Sequence, residues 1–267
     1  MRVGSREPLP LPPVEMRRLV GVEDPAFFDN PDGAPALPEA GELAFGSVFD
    51  FGCGCGRIAR RLIQQEPQPR SYLGIDLHAG MVRWCQEHLT PLAPQFRFLH
   101  HDVHNIGLNP RADGRDFLPF PAGDGEFDLV VAHSVFTHVL ESSALAYLRE
   151  CARILDPDGL VLSTWFLFDK RLFPMMQPFQ NALYINEVDP TNAVIFDRAW
   201  FERVVEEAGL VVTGVVPPAV RGFAWTISLR RPGAGRVAVP LPEDDAPLGH
   251  LPPPVPTVPA YTIGRDA

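Results

Sequence analysis

Short apolar runs alternate with segments of helical periodicity through the middle of this 267-residue chain. The apolar runs are rich in Val, Ile, Leu and Phe, and they predict strands at about residues 47–51, 71–76, 96–101, 127–132 and 160–167. The segments between them predict helices at about residues 56–66, 79–89 and 143–155, the last with Leu145, Leu148, Ala152 and Leu155 on one face. This alternation is typical of an α/β protein with a mostly parallel sheet.

The C-terminal third of the chain predicts a different arrangement. Asp197 is a predicted N-cap of a helix that ends at Gly209. Two later apolar runs, at 210–216 and 222–229, predict a closing antiparallel hairpin. The hairpin brings the number of predicted strands to seven.

The composition along the chain predicts one domain with two proline-rich flanks. The domain is expected at residues 46–231, and an insertion at 169–196 is expected to contribute to a substrate site. The arm at 1–45 is expected either to cover the site or to lie irregularly on the surface. The tail at 232–267 holds nine of the thirty prolines and is expected to be disordered or extended. The loop at 105–125 is long enough to be a candidate lid.

A glycine-rich turn follows the first predicted strand, with the sequence Asp50-Phe51-Gly52-Cys53-Gly54-Cys55-Gly56-Arg57. Glycine at every second position tolerates positive φ and lets backbone N–H groups approach a ligand closely. The second and third predicted strands end near Asp76 and Asp102, and the intervals Asp50 to Asp76 and Asp76 to Asp102 are both 26 residues. Because parallel strands carry their C-terminal ends to one edge, these acids are expected to gather beside the turn.

The residues at this edge discriminate among nucleotide-like ligands. A P-loop needs Lys and then Ser or Thr after its last glycine, whereas Arg57 and Ile58 follow Gly56. A dinucleotide fingerprint read from Gly52 needs a third glycine where Arg57 stands. A carboxylate at the end of strand two can accept hydrogen bonds from ribose hydroxyls, and one after strand three can accept from an adenine amine. A ligand with ribose, adenine and a cationic centre but no phosphate fits best, and S-adenosylmethionine (SAM) is such a ligand.

From about residue 47 to residue 167 the chain resembles a class I SAM-dependent methyltransferase. The resemblance lies in the acid-x-Gly-x-Gly-x-Gly turn at 50–56, the acids Asp76 and Asp102, the fourth strand at 127–134 and the turn into the fifth at 155–162. It implies a Rossmann-like, doubly wound sheet of seven strands in the order 3-2-1-4-5-7-6, with an antiparallel C-terminal hairpin. The order of the acids and the glycine turn, together with an aromatic segment after strand five, favours a small-molecule acceptor that is methylated at oxygen. The implied cofactor-binding residues are Asp50, Gly52, Cys53, Gly54, Gly56, Asp76, Leu77, Met81, Asp102, Val103 and His133.

Two histidines after the fourth predicted strand are the candidate catalytic residues. An oxygen or nitrogen acceptor must lose a proton, and a nearby base assists that loss. His133 ends the strand at the ligand edge, and His138 lies near the start of the next helix. His138 also resembles a histidine that often has a packing or capping role in small-molecule methyltransferases. No metal site is predicted in the run 100–104, because adjacent residues of a strand point to opposite faces.

Large apolar side chains crowd the segment after the fifth predicted strand, namely Trp165, Phe166, Phe168, Phe173, Met175, Met176, Phe179 and Tyr184. They are expected to form either an apolar acceptor pocket or a local core beneath the insertion. Asn186, Glu187 and Asp189 are candidate polar contacts for a hydroxylated acceptor.

Composition restricts the partners further. The net charge of −10 argues against nucleic acid, which requires a basic surface. No apolar run reaches the roughly 18 residues of a membrane span. The N-terminal residues lack a signal-peptide core, and the four cysteines form no disulfide framework, so a cytoplasmic protein is expected. A homodimer remains open.

Two alternatives remain open beside methyl transfer to a small molecule. One is a nicotinamide-dependent oxidoreductase, because a dinucleotide site also combines a glycine turn with a later acid. The other is a non-catalytic protein with a methyltransferase-like fold that holds a partner through its proline-rich ends.

Overall fold

The computed structural model describes residues 9–40, 46–220, 222–233 and 236–243. Its helices are α1 (Val14–Leu19), α2 (Arg57–Gln64), α3 (Ala79–His88), α4 (Glu141–Ile154) and α5 (Arg198–Glu207). Its strands are β1 (Ser47–Phe51), β2 (Ser71–Asp76), β3 (Phe96–His100), β4 (Phe127–Ala132), β5 (Leu155–Phe168), β6 (Ala182–Tyr184), β7 (Val194–Asp197), β8 (Val211–Val216) and β9 (Trp225–Arg230). Short 3₁₀ turns lie at Pro25–Phe28, Pro38–Ala40, Lys170–Leu172 and Pro190–Asn192.

The first five strands form a parallel sheet in the order β3-β2-β1-β4-β5. In β1, successive side chains point to opposite faces of this sheet. Val48 packs in the same cluster as residues of α2 and α3, whereas Phe49 packs with residues of α4 and α5. Helices therefore cover both faces, and the predicted doubly wound α/β fold is confirmed.

β5 is long enough to pair with two different neighbours. Its residues 161–165 pair antiparallel with β9, and β8 lies beyond β9. Its last three residues, 166–168, pair in parallel with β7, and β6 lies beyond β7. The predicted order is thus confirmed through β5 and into the closing hairpin, but the described sheet has nine strands rather than seven. The two additional strands, of three and four residues, come from the insertion and are too short to give a recognisable apolar alternation.

The buried face of α4 differs by one position from the predicted face. Ala144, Tyr147, Leu148, Cys151 and Ile154 are buried, whereas the expected Leu145 and Ala152 are only half-buried. The buried residues follow the helical spacing that begins at Ala144, whereas the predicted face began at Leu145. This rotation carries the Tyr147 ring towards the ends of the strands.

The described part of the N-terminal arm is attached to α2 by one buried arginine. Arg60 is 2% exposed and donates to the carbonyl oxygens of Leu9, Pro10 and Phe28. Its guanidinium also pairs with Asp29. A buried guanidinium requires such partners, so the arm is held against the domain rather than lying irregularly on it.

The described tail residues, up to residue 243, form no helix or strand and pack on the domain. Leu241 is buried in the main core, and the N–H of Val239 donates to the carbonyl of Val212 at 2.9 Å. The expectation of a disordered or extended tail stays a prediction, and its part at 244–267 lies outside the described residues. Within the described portion of the chain, no helix combines the length and the apolar character that crossing a membrane requires.

Candidate active site

A cavity of about 740 Å³ lies where the first four strands end. Residues 51–54 border it after β1, residues 76–78 after β2, His101 and Val103 after β3, and residues 133–135 after β4. Its outer walls come from three less regular segments, at 18–22 in the arm, 104–108 in the loop after β3, and 189–191 in the insertion. This volume is within the range of small-molecule and cofactor sites.

The glycine turn is joined to the end of β2 by backbone hydrogen bonds. The N–H groups of Gly52 and Cys53 both donate to the carbonyl of Ile75, at 2.8 and 3.0 Å. The N–H of Gly54 donates to Asp76 Oδ2 at 2.8 Å. Gly52 has a φ of +79°, and a Cβ there would collide with Val135, so the turn requires glycine at this position.

Asp76 borders the cavity and accepts two backbone hydrogen bonds. The second comes from the N–H of His78, which donates to Oδ1 at 2.7 Å. Burial raises the pKa of this carboxyl, and the two N–H donors oppose that rise by stabilising the charged form. A carboxylate oxygen can accept more than one hydrogen bond, so both oxygens retain capacity for hydroxyl donors.

Asp50 lies behind the turn and does not border the cavity. It is 1% exposed, and the hydroxyl of Tyr72 donates to its Oδ2. Its Oδ1 atom has no hydrogen-bond partner within the described residues. Burial raises the pKa of Asp50 to about 7, against the opposing effect of the Tyr72 hydrogen bond. A buried acceptor without a partner is costly, so this atom marks a place where an additional donor or cation would be stabilised.

Arg57 places an unpaired positive charge on the cavity wall. Its guanidinium donates to His133 Nδ1 at 2.9 Å. Within the described segments it forms no salt bridge, and burial lowers its pKa. This residue was not among the predicted site residues, although its position immediately after the last glycine is a signal available in the sequence.

The contact with Arg57 determines which nitrogen of His133 carries the proton. A guanidinium only donates hydrogen bonds, so Nδ1 of the neutral ring must be the acceptor and Nε2 carries the hydrogen. Burial, followed by the charge of Arg57, lowers the pKa of His133 to about 4. The ring borders the cavity as a neutral group with a donor at Nε2. The adjacent Ser134 has a φ of +58°, an uncommon backbone conformation at a cavity wall.

His138 has the opposite tautomer. Its Nδ1 lies 2.9 Å from the carbonyl oxygen of Thr191. A carbonyl only accepts, so Nδ1 carries the hydrogen and Nε2 of the neutral ring holds a lone pair. His138 also borders the cavity. The two candidate histidines are therefore chemically different.

Most of the predicted site residues border this cavity, namely Gly52, Cys53, Gly54, Asp76, Leu77, Met81, Val103, His133 and His138. Asp50 and Gly56 lie beneath the turn, where Gly56 packs against Leu89 and Cys85. Asp102 is exposed away from the wall, and its Oδ1 accepts a hydrogen bond from Asn109 Nδ2 at 3.0 Å. The structure thus brings the glycine turn and Asp76 together but leaves Asp102 outside the wall.

The aromatic side chains after β5 do not border the cavity. Trp165 is buried in the core and stacks on Phe136 at 4.2 Å, while Met175 and Phe179 are exposed. The insertion directs only residues 189–191 to the wall of this cavity, so an acceptor pocket made by this set stays a prediction. Of its candidate polar contacts, Asp189 borders the cavity, whereas Asn186 and Glu187 do not.

An aromatic wall that the sequence did not indicate comes from other elements. The rings of Phe51, His101 and Tyr147 border the cavity together. His101 Nε2 lies 3.2 Å from the Tyr147 hydroxyl, and burial lowers the pKa of this histidine to about 4. No group of residues suited to a metal ion occurs within the described residues.

Comparisons with known proteins agree with this fold. Residues 48–159 match the family described as "Methyltransferase domain". An arsenite methyltransferase of Aquipseudomonas alcaligenes is 29% identical over 139 residues, which are 52% of this chain and 36% of the relative. A malonyl-[acyl-carrier protein] O-methyltransferase of Magnetococcus marinus is 33% identical over 85 residues, which are 32% of this chain and 26% of the relative. The matches thus cover about a third and a quarter of the lengths of these two relatives.

Two solved structures share the fold at low sequence identity. One is a Pyrococcus horikoshii protein, with a TM-score of 0.50 and 15% identity over 74% of this chain and 87% of the other. The other is mitomycin 7-O-methyltransferase, with a TM-score of 0.50 and 18% identity over 74% of this chain and 52% of the other. The resemblance predicted from the sequence is confirmed over residues 48–159, which match a methyltransferase domain.

The buried Asp50 carboxyl makes a testable contribution to the pH dependence of stability. Its pKa in the folded protein is about 7, against 3.8 for the ordinary carboxyl. A raised pKa stabilises the fold below pH 3.8, and this contribution is lost as the pH rises to about 7. Between pH 5 and pH 8, the free energy of unfolding of the wild-type protein should fall by about 2 kcal/mol relative to that of Asp50→Asn. Urea titrations of both proteins at each pH measure this difference, and parallel pH profiles would refute the assignment.

Proposed function

We propose that this chain transfers the methyl group of SAM to a hydroxyl oxygen of a small molecule, with His138 as the general base. The observation that carries this proposal is the Nε2 lone pair of His138, set on the same cavity wall as the glycine turn. The bound cofactor supplies a methyl group on a sulfonium, a good leaving group, so the protein mainly has to position the acceptor and remove its proton.

The cofactor fits the polar groups at the turn. Asp76 is the proposed acceptor for the ribose hydroxyls, because it borders the cavity and its oxygens retain capacity. Arg57 is the proposed partner of the cofactor's carboxylate, since it is half-buried on the wall and forms no salt bridge within the described residues. Asp50, which lies behind the turn, is the proposed counter-charge for the ammonium group at the same end, through a bridging water. The amino-acid end of SAM carries both charges. Its carboxylate would pair with the Arg57 guanidinium, and its ammonium group would serve the unpartnered Oδ1 atom of Asp50.

The two histidines have different proposed roles towards the acceptor. His133 is held by Arg57 with its proton on Nε2, so it is suited to donate a hydrogen bond rather than to remove a proton. His138 has its lone pair on Nε2 and is suited to accept the proton of a hydroxyl. The two predicted candidates therefore have different proposed roles, with His138 as the base.

The charges of the wall favour a neutral acceptor with an apolar frame. Asp116 and Asp189 border the cavity together with Ile106, Leu108 and Leu140. The cations on the wall are Arg57, proposed for the cofactor, and Arg18, which already pairs with Glu23. A carboxylate acceptor would be repelled by the two aspartates and would need no base. A hydroxyl of low acidity is neutral, so the aspartates do not repel it, and it needs a base to remove its proton.

The cysteines argue against an acceptor like the one for which the arsenite methyltransferase is named. Cys53 is the only cysteine that borders the cavity, and burial raises the pKa of its thiol well above the ordinary value. Soft metalloid centres bind thiolates, and the described wall offers no cluster of them.

The first test is cofactor binding. Asp76→Asn keeps an oxygen for a backbone N–H but loses the charge, so SAM affinity should fall roughly 30-fold, equivalent to about 2 kcal/mol. The matched control is Asp102→Asn, which removes an exposed acid outside the wall and should change affinity less than threefold. Calorimetry with SAM measures both, and NADH serves as the ligand of the rival oxidoreductase. Unchanged SAM affinity of Asp76→Asn, or binding of NADH instead of SAM, would refute the assignment.

The second test concerns the carboxylate end of the cofactor. Wild-type protein should bind SAM roughly tenfold or more tightly than decarboxylated SAM, because the latter lacks the partner of Arg57. In Arg57→Met the two ligands should bind almost equally well. Arg61→Met, a change on the same helix but outside the wall, should retain the wild-type ratio. A ratio that survives in Arg57→Met would place the carboxylate elsewhere.

The third test concerns proton removal. His138→Gln should lower kcat roughly 10²- to 10⁴-fold without changing SAM affinity, whereas His133→Gln should lower it less. Naphthol and naphthoic acid form a matched pair of probes, with the same apolar frame and either a hydroxyl or a carboxylate. Formation of the demethylated cofactor measures transfer. Wild-type transfer to the acid but not to the alcohol would contradict the proposed acceptor class, and no transfer to a broad panel despite SAM binding would favour a non-catalytic role.

A further inference from the structure

Three segments that are distant in the sequence meet beside His138. They are the loop after β3 with Asn105, the loop after β4 with His138 itself, and the insertion with Asp189 and Thr191. All four side chains border the cavity. We call Asn105, Asp189 and Thr191 the Thr191 latch.

The hydrogen bonds of the Thr191 latch have only one consistent direction. Asn105 Nδ2 donates to Thr191 Oγ1 at 2.9 Å. The Thr191 hydroxyl in turn donates to Asp189 Oδ1 at 2.5 Å, since an ionised carboxylate can only accept. The backbone N–H of Thr191 donates to the same oxygen at 3.1 Å. Thr191 is therefore held through both its side chain and its backbone.

Further hydrogen bonds hold both ends of the latch. Asn105 is buried, and its Oδ1 accepts from the N–H groups of Gly107 and Leu108. On the other side, the N–H of Val194 donates to the carbonyl of Thr137 at 2.9 Å, which ties β7 to the residue before His138. The Thr191 carbonyl thus has a defined position relative to the imidazole.

We propose that Asn105, Asp189 and Thr191 are positioning residues that hold His138 in its Nδ1–H tautomer, with the Nε2 lone pair towards the acceptor. This inference rests on the proposed function for its catalytic consequence, but its structural content does not. A neutral imidazole without a partner exchanges between two tautomers and several ring orientations, and only one combination presents a base to the cavity. The carbonyl of Thr191 selects that combination, as outer partners do for other functional histidines.

The test removes one hydroxyl at a time. Thr191→Val keeps the shape of the side chain and removes the hydroxyl, whereas Thr191→Ser keeps the hydroxyl. Asn105→Asp removes the donor to Thr191 and retains an Oδ1 atom for Gly107 and Leu108. The matched control is Thr213→Val, which removes the hydroxyl that donates to the Ser228 carbonyl in the C-terminal hairpin, away from the cavity.

The direct readout is nitrogen NMR of the His138 ring, because protonated and unprotonated ring nitrogens resonate far apart. Wild type, Thr191→Ser and Thr213→Val should show the Nδ1–H tautomer, whereas Thr191→Val and Asn105→Asp should show a mixture. The kinetic readout is kcat with naphthol, expected to fall about tenfold in the last two variants at unchanged SAM affinity. Thermal unfolding of each variant identifies any that fail to fold, in which case the other of the two decides.

Each outcome bears on the proposal. A mixed tautomer with reduced kcat, restored in Thr191→Ser, supports it. An Nδ1–H tautomer that persists in both folded variants, or a kcat equal to that of the wild type, overturns it. If the wild-type protein transfers no methyl group to any probe, the proposed function fails, and the NMR result alone then supports or overturns the positioning role.

Discussion

The site depends on the hydrogen bonds that join the glycine turn to the end of β2. Gly52 and Cys53 donate to one carbonyl of β2, and Gly54 donates to the Asp76 side chain. The turn is consequently fixed before any ligand arrives, and the carboxylate that faces the cavity is oriented by the same contacts. A side chain at Gly52 would collide with Val135 in the loop after β4, and one at Gly54 would collide with Val20 of the arm. A pre-formed edge of this kind reduces the ordering cost of binding.

Electrostatics divide this cavity into two regions with different tasks. Near the turn, Arg57 and Asp50 offer opposite charges that are incompletely paired in the protein itself. The cavity wall also includes Asp116 and Asp189, and two histidines whose Nδ1 atoms have different partners, a guanidinium and a carbonyl. A zwitterionic group is thereby favoured at one region and a neutral hydroxyl at the other. The partner of each histidine, a guanidinium for His133 and a carbonyl for His138, distinguishes the two rings chemically.

The sequence predicted the cofactor half of the molecule better than the acceptor half, for physical reasons. The buried strands and the glycine turn are local patterns, and parallel pairing then brings Asp76 to the turn without further information. Arg57 was visible beside the last glycine, but its lack of a carboxylate partner is a property of the folded chain. Tyr147 entered the cavity through a one-residue shift of the buried face of α4, which apolar spacing alone did not resolve. The contact between Asn105 and Thr191 joins residues 86 positions apart and has no local signature.

The two parts of β5 pair with different neighbouring strands. Residues 161–165 are paired by β9 as part of the common sheet, whereas residues 166–168 carry β7 and, through it, the insertion. The insertion is thus joined to the sheet through β7, which pairs with the end of β5 and buries Val194 and Phe196 in the main core. Changes in its length or composition can reshape the outer chamber while leaving the nucleoside-facing edge intact. Evolution can therefore alter the insertion, and with it this part of the cavity wall, while the sheet and its core stay the same.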